Sequence, residues 1–151
     1  MDVIQFLKGE HHKARAAVSK VIRAESSERG HLWDELEPEL AVHEQIEDEC
    51  LYAPLSADAG GKDPKLAGWR DEHEQEVEEV ETLIEELGGI EAEEERWLDL
   101  VKAVQSKLEN HIREEEGEIF PRIAKVWDKG RREEAGKRMN EMKAQKLGPV
   151  S

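Results

Sequence analysis

Residues 43–52 read HEQIEDECLY, and they place a histidine and a carboxylate, His43 and Glu47, four residues apart in a segment striped for a helix. Residues at i and i+4 share one helical face. Here that face also carries Leu36, Leu40 and Cys50, so it is the face that packs inward. A histidine and a glutamate buried without partners are costly. A metal ion between them removes that cost, and the rest of the chain can be searched for further ligands.

The motif occurs twice. His111 to Phe120 reads HIREEEGEIF, so both stretches follow H-x3-E-[DE]-x2-[LI]-[YF] and run into a proline, Pro54 or Pro121. Two other segments share a Glu-His pair, Glu10-His11 and Glu72-His73, each with a valine seven residues on (Val18, Val80). The chain is therefore pseudo-twofold. Its metal candidates are His11, His43, Glu47, His73, His111 and Glu115.

Hydrophobic periodicity supplies the scaffold. Four amphipathic segments are expected, at about 2–25, 32–55, 65–87 and 93–127, each with an apolar seam spaced by three and four residues. Asp2 is an expected N-cap. Ser26-Ser27 with Gly30 are expected to stop the first helix, and Gly88-Gly89 to end the third. Pro38 either opens the second helix or kinks it, Pro54 should distort its end, and Pro121 should bend the fourth. Residues 56–64, SADAGGKDP, read as the most flexible connection. Short loops between amphipathic helices imply an all-α, antiparallel up-down-up-down four-helix bundle. Counting from each loop puts the four seam histidines at one level, within a few residues at ~1.5 Å rise each.

The expected domain is residues 1–129, followed by a basic C-terminal extension, 130–151, that packs on the bundle or trails from it as a partner-binding tail. Residues 122–146 hold nine Lys or Arg against four Asp or Glu, in a chain whose net charge is −15. That acidity argues against nucleic acid and anionic membranes as partners. One cysteine, Cys50, rules out an intramolecular disulfide and suits a reducing compartment. No membrane-spanning run or signal-peptide core is present, so a cytoplasmic protein, a monomer or weak homo-oligomer, is expected.

Nitrogen and oxygen ligands without thiolate suit iron, manganese or zinc. Two carboxylates among four imidazoles suggest two ions, because a carboxylate can bridge. Two octahedral irons need twelve positions. Four histidines fill four, two bridging glutamates four, and a bridging oxo or hydroxo two, which leaves two for dioxygen, peroxide, nitric oxide or another side chain.

These motifs resemble the hemerythrin-like HHE cation-binding domain over about residues 2–127. HEQIEDE is also similar to the iron-sensing hemerythrin-like domain of an F-box protein. The resemblance implies a non-haem di-iron centre held by the six residues above, with Glu47 and Glu115 as bridges. It departs in one place: oxygen-carrying hemerythrins place a second histidine four residues after the third-helix histidine, and Val77 stands there. Reversible oxygen carriage is thereby in doubt, and redox chemistry or sensing is favoured. Glu76, Glu44 and, with a shift of register, His12 are further ligand candidates.

The function expected is a binding or sensing protein in oxygen, iron or oxidative-stress handling. A catalase- or peroxidase-like enzyme using the same centre is the first alternative, and a metal-stabilised interaction module the second. His31 reads as an incidental loop residue and Cys50 as a small buried residue, with a redox-sensitive thiol as the alternative. Tyr52 and Phe120 read as core packing, and Trp69, Trp97 and Trp127 as packing at the bundle ends.

Overall fold

The computed structural model describes residues 1–60 and 62–148. Gly61 of the expected loop and residues 149–151 of the expected extension lie outside it. Helix α1 (Val3–Arg23) starts at a reciprocal cap: Gln5 N–H donates to the Asp2 carboxylate, and Asp2 N–H donates to the Gln5 side chain. Its inward stripe is Val3, Leu7, His11, Val18 and Val21.

Helix α2 (Ser26–Glu47) corrects the first expected boundary. Only Ala24 and Glu25 separate it from α1, and Gly30 lies within it. That glycine serves packing: a Cβ there would stand 3.0 Å from the Cβ of Ala92. His31 is likewise helical, exposed and paired with Glu35 at 3.0 Å. The helix runs through Pro38 and does not begin there.

Both H-x3-E motifs lead into a π-helical turn, Asp48–Tyr52 and Glu115–Ile119. Ala53 N–H reaches Asp48 O, and Phe120 N–H reaches Glu115 O, each five residues back. The prolines explain the widening. Pro54 and Pro121 offer no N–H, and their rings crowd the carbonyls four residues before them, those of Cys50 and Gly117. The distortions expected at these prolines thus fall in the turns that precede them, and short helices α3 (Ala53–Ala59) and α6 (Phe120–Val126) follow.

Much of the expected loop is helical, because α3 extends to Ala59 and α4 (Pro64–Leu87) begins at an Asp63 cap. Helix α4 ends at Gly88 with ordinary right-handed backbone. Helix α5 (Glu95–Glu114) completes the bundle, and α7 (Lys129–Leu147) follows an Asp128 cap.

Helix α1 packs against α2 and α5, α5 packs against α4, and α7 lies across α1 and α2. Gly136 of α7 meets the start of α1 so closely that a Cβ would stand 2.6 Å from Met1 O. Lys143 pairs with Glu10 at 2.6 Å, so the basic helix faces acidic bundle surface. Its Met139 is fully buried, which contributes about 1.5–3 kcal/mol. Helices α2 and α4 hardly touch, and a cleft of about 660 Å³ lies between them, with part of α5 as its base.

Two apolar clusters stack along the bundle. One joins Val3, Leu7, Ile46, Leu51, Leu55, Ile119, Ile123 and Met139, and the other Val18, Val21, Trp33, Leu36, Trp97 and Val101. The histidines lie between them. No described helix is long and apolar enough to cross a membrane.

Candidate metal centre

The four seam histidines converge, as their equal depth predicts. His11 and His43 ring centroids are 5.8 Å apart, His73 and His111 5.0 Å, and His11 and His111 6.4 Å. They come from α1, α2, α4 and α5, one each. His12, the alternative in α1, is exposed.

Glu47 and Glu115 are fully buried between these rings. Glu47 Oε2 contacts His43 Nε2, while its Oε1 lies 3.3 Å from His111 Nε2 and 3.6 Å from His73 Nε2. Glu115 Oε1 lies 2.9 Å from His11 Nε2, and its Oε2 3.0 Å from His111 Nε2. Each carboxylate therefore turns one oxygen toward the His11/His43 pair and the other toward His73/His111. Ligand atoms of His11, Glu47, His111 and Glu115 all lie within 4.8 Å of one another.

The weaker ligand candidates separate. Glu44 Oε2 lies 2.8 Å from His73 Nε2, on the nitrogen that faces Glu47. Glu76 Oε2 lies 3.2 Å from His111 Nδ1, on the side of that ring away from Glu47. Glu116 holds His11 Nδ1 in the same way at 2.7 Å. Outer carboxylates of this kind fix a ring's orientation and tautomer and leave Nε2 free as a ligand. The sequence reading did not single out Glu116, although its place directly after Glu115 in a repeated acidic pair was a signal.

A metal fits this donor set. His11 Nε2, His73 Nε2, Glu44 Oε2, Glu47 Oε2 and Glu115 Oε1 are buried and make no hydrogen bond. Buried polar atoms are rarely left so. Several stand within 2.9 Å of one another without hydrogen-bonding geometry, so they are aimed at shared points between them.

Electrostatics agree with a site built for positive charge. Burial works to raise the Glu47 carboxyl, yet the charge of His43 and close polar contacts with Glu115, His111 and His43 hold it well below the usual range. Burial and the Glu47 charge push Glu115 well above it. Like charges held this close drive the two carboxyls in opposite directions. Burial works to lower His111, but hydrogen bonds to Glu47 and Glu76 raise it to about 10. His43 and His73 are raised against burial, by Glu47 and by Glu44 respectively, and His11 is lowered by burial.

Two aromatic residues differ from expectation. Tyr52 is buried in the core, as expected, but its hydroxyl donates to Glu47 Oε1 at 2.7 Å and also meets Glu115 Oε2. Trp69 is not an end-of-bundle residue, since it stacks on His111 at 6.2 Å and meets Tyr52 edge-on at 6.0 Å. Phe120, the counterpart of Tyr52, stacks on His11 at 5.9 Å. Trp97 packs edge-on against Trp33 at the far end. Cys50 is a buried free thiol, raised by burial, with its Sγ donating to Met142 Sδ at 3.1 Å.

The family model for the hemerythrin HHE cation binding domain matches residues 2–123. Uncharacterized protein Rv2633c of Mycobacterium tuberculosis is 33% identical over 123 residues, 80% of this chain and 71% of that protein. Uncharacterized protein Mb2666c of Mycobacterium bovis matches to the same extent. A crystal structure of an HHE cation-binding domain protein, the Rv2633c homolog from Mycobacterium kansasii, superposes with a TM-score of 0.77. It is 28% identical, and the match covers 98% of this chain and 88% of that one.

Proposed function

The chain belongs to the hemerythrin HHE cation-binding domain family, and on that premise we propose that it holds two iron ions and meets a small oxidant, dioxygen or a peroxide, at them. The observation that carries this reading is the division of each buried carboxylate between two histidine pairs. His11 and His43 with Glu47 and Glu115 would hold one ion, and His73 and His111 with the same two carboxylates would hold the other, with Glu44 beside His73 as a further candidate.

An iron pair exchanges two electrons, one per ion, and so suits dioxygen or peroxide. The protein's own part is to hold and exclude. Glu116 and Glu76 fix two imidazoles, Tyr52 holds the carboxylates by hydrogen bonding, and Phe120 and Trp69 wall off water from rings they stack on. Val77 stands where a fifth histidine would close access, and it lines the cleft that reaches His73 and His111. That access favours peroxide decomposition as the second reading over reversible carriage.

Iron reconstitution with metal analysis tests the first claim. A content well above one ion per chain in the parent, cut to less than half in both His111→Ala and Glu47→Ala, is expected. One ion or fewer per chain sinks the paired site. Steady oxygen evolution from hydrogen peroxide by the iron-loaded protein separates the enzyme from a binding or sensing protein, which reacts once and stops.

A further inference from the structure

We propose that the cleft between α2 and α4 binds the apolar tail of an uncharged organic hydroperoxide and sets its O–O group toward the metal pair at His73 and Glu44. This rests on the reading of the centre as a metal pair that meets an oxidant, and it names the class of oxidant.

Size is the first argument. The cleft holds about 660 Å³. A water-sized molecule occupies about 30 Å³, and hydrogen peroxide or dioxygen needs little more. Sites for organic molecules span ~300–1,000 Å³. A passage for diatomic or triatomic species alone does not require such a volume.

The walls are the second. Leu40, Val77, Val80, Ile84, Val104 and Leu108 give it apolar lining. Its lining includes His73, a residue 2% exposed, and Glu44, whose Oε2 lies 2.8 Å from His73 Nε2 on the side where both would meet the metal. A cleft whose apolar side chains run up to two ligands of the proposed metal pair suits a molecule with an apolar body and a small oxygen head. A docked helix would cover the walls and leave those two ligands unused.

Charge selects among such molecules. Nine carboxylates line the cleft against one lysine, Lys107, which is paired with Glu79. A fatty carboxylate would enter against that field, while a neutral hydroperoxide pays no such cost. Reduction of such a hydroperoxide to an alcohol and water takes two electrons and two protons, which a bound ferrous pair and solvent would supply.

Binding is tested on zinc-loaded protein, where no redox step intervenes, by calorimetric titration with cumyl alcohol, the stable counterpart of cumene hydroperoxide. Saturable one-to-one binding is expected, at least tenfold tighter than that of decanoate, and lost in Val77→Trp. The double variant Glu78→Lys/Glu81→Lys, on the exposed rim, should gain decanoate binding at least tenfold, and it decides the matter if Val77→Trp does not fold. In single turnover, oxidation of the ferrous protein by cumene hydroperoxide should saturate with concentration and be slowed competitively by cumyl alcohol.

Absent alcohol binding, alcohol binding no tighter than that of decanoate, or a basic helical peptide that binds in the alcohol's place, overturns the proposal. Oxidation by hydrogen peroxide but not by cumene hydroperoxide overturns it too, and leaves the metal-pair reading standing. Reaction with neither peroxide removes the oxidant reading itself.

Discussion

Tyr52→Phe isolates the one hydroxyl that joins the two buried carboxylates. The substitution keeps the ring, and with it the contacts to His73 at 4.7 Å and Trp69 at 6.0 Å, so no cavity forms. What it removes is a hydrogen bond of 2.7 Å to Glu47 Oε1, whose carboxyl is held well below its usual range, and the contact with Glu115. A hydrogen bond to a charged group contributes about 1.5–3 kcal/mol, and at this chain length each kcal/mol shifts Tm by ~2–4 °C, so a fall of roughly 3–12 °C is expected. The assay is thermal unfolding of the metal-free protein at pH 7 with chelator present. An unchanged Tm, or a variant more stable than the parent, would refute the placement of that hydroxyl between Glu47 and Glu115. Phe120→Leu serves as a control, because it alters packing on His11 without touching a carboxylate.

Other outcomes follow from the same geometry. Metal loading at pH 7 should release protons, because His111 at about 10 and the raised Glu115 hold them in the metal-free protein and ligands must shed them; calorimetry in two buffers of different ionisation enthalpy measures the count, and no net release contradicts the prediction. In the metal-free protein the raised His111 contributes stability that is fully present below its unfolded pKa of about 6.5 and lost as pH rises through 10, so chelator-treated protein should unfold more easily toward pH 10. Glu116→Ala should weaken iron binding by roughly 10–100-fold in chelator competition, since His11 loses its Nδ1 partner, with little change in the helical spectrum. Gly136→Ala should cost about 1–3 kcal/mol in chemical denaturation, because its Cβ collides with Met1 and Asp2 backbone, whereas Gly9→Ala meets nothing within 4 Å and should gain roughly 0.5–1 kcal/mol.

The bundle and its histidines were legible because both depend on one period. Hydrophobic residues at three and four set the seams, and helix lengths set the depth at which His11, His43, His73 and His111 meet. What the sequence hid was local departure from that period. Ser26, Ser27 and Gly30 carry the chemistry of a helix stop, but Gly30 is used for a close approach to Ala92 and the helix continues through it. Trp69 sits on the expected seam, yet only the three-dimensional path of α4 brings it against His111. Glu44 and Glu76 could not be ranked by heptad position. Which ring nitrogen each one meets decides between them, and periodicity says nothing about ring nitrogens.

The hardest feature to read was also written into the motif. Tyr52 and Phe120 each lie five residues after a site glutamate, Glu47 and Glu115. Five residues along an α-helix carry a side chain about 140° around the axis, away from the starting face. In a π turn the ring closes at five residues, so the same spacing returns the side chain toward that face. The prolines after each motif are therefore part of the site's construction, since they widen the turn that brings Tyr52 and Phe120 back to the metal-facing layer. The two halves are alike in backbone and differ in one oxygen atom. Beside His73 a phenol hydroxyl reaches both carboxylates, and beside His11 a plain phenyl ring stacks and offers nothing polar. A pseudo-twofold sequence thus yields two inequivalent histidine pairs, with the side bearing Tyr52 and Glu44 the more richly supplied with oxygen and the one that opens to the cleft. Exchange of the pair, Tyr52→Phe with Phe120→Tyr, should move the hydroxyl to the His11 side and invert which ion is lost first to chelator; loss in the original order would show that Glu44, and not the phenol, sets the difference.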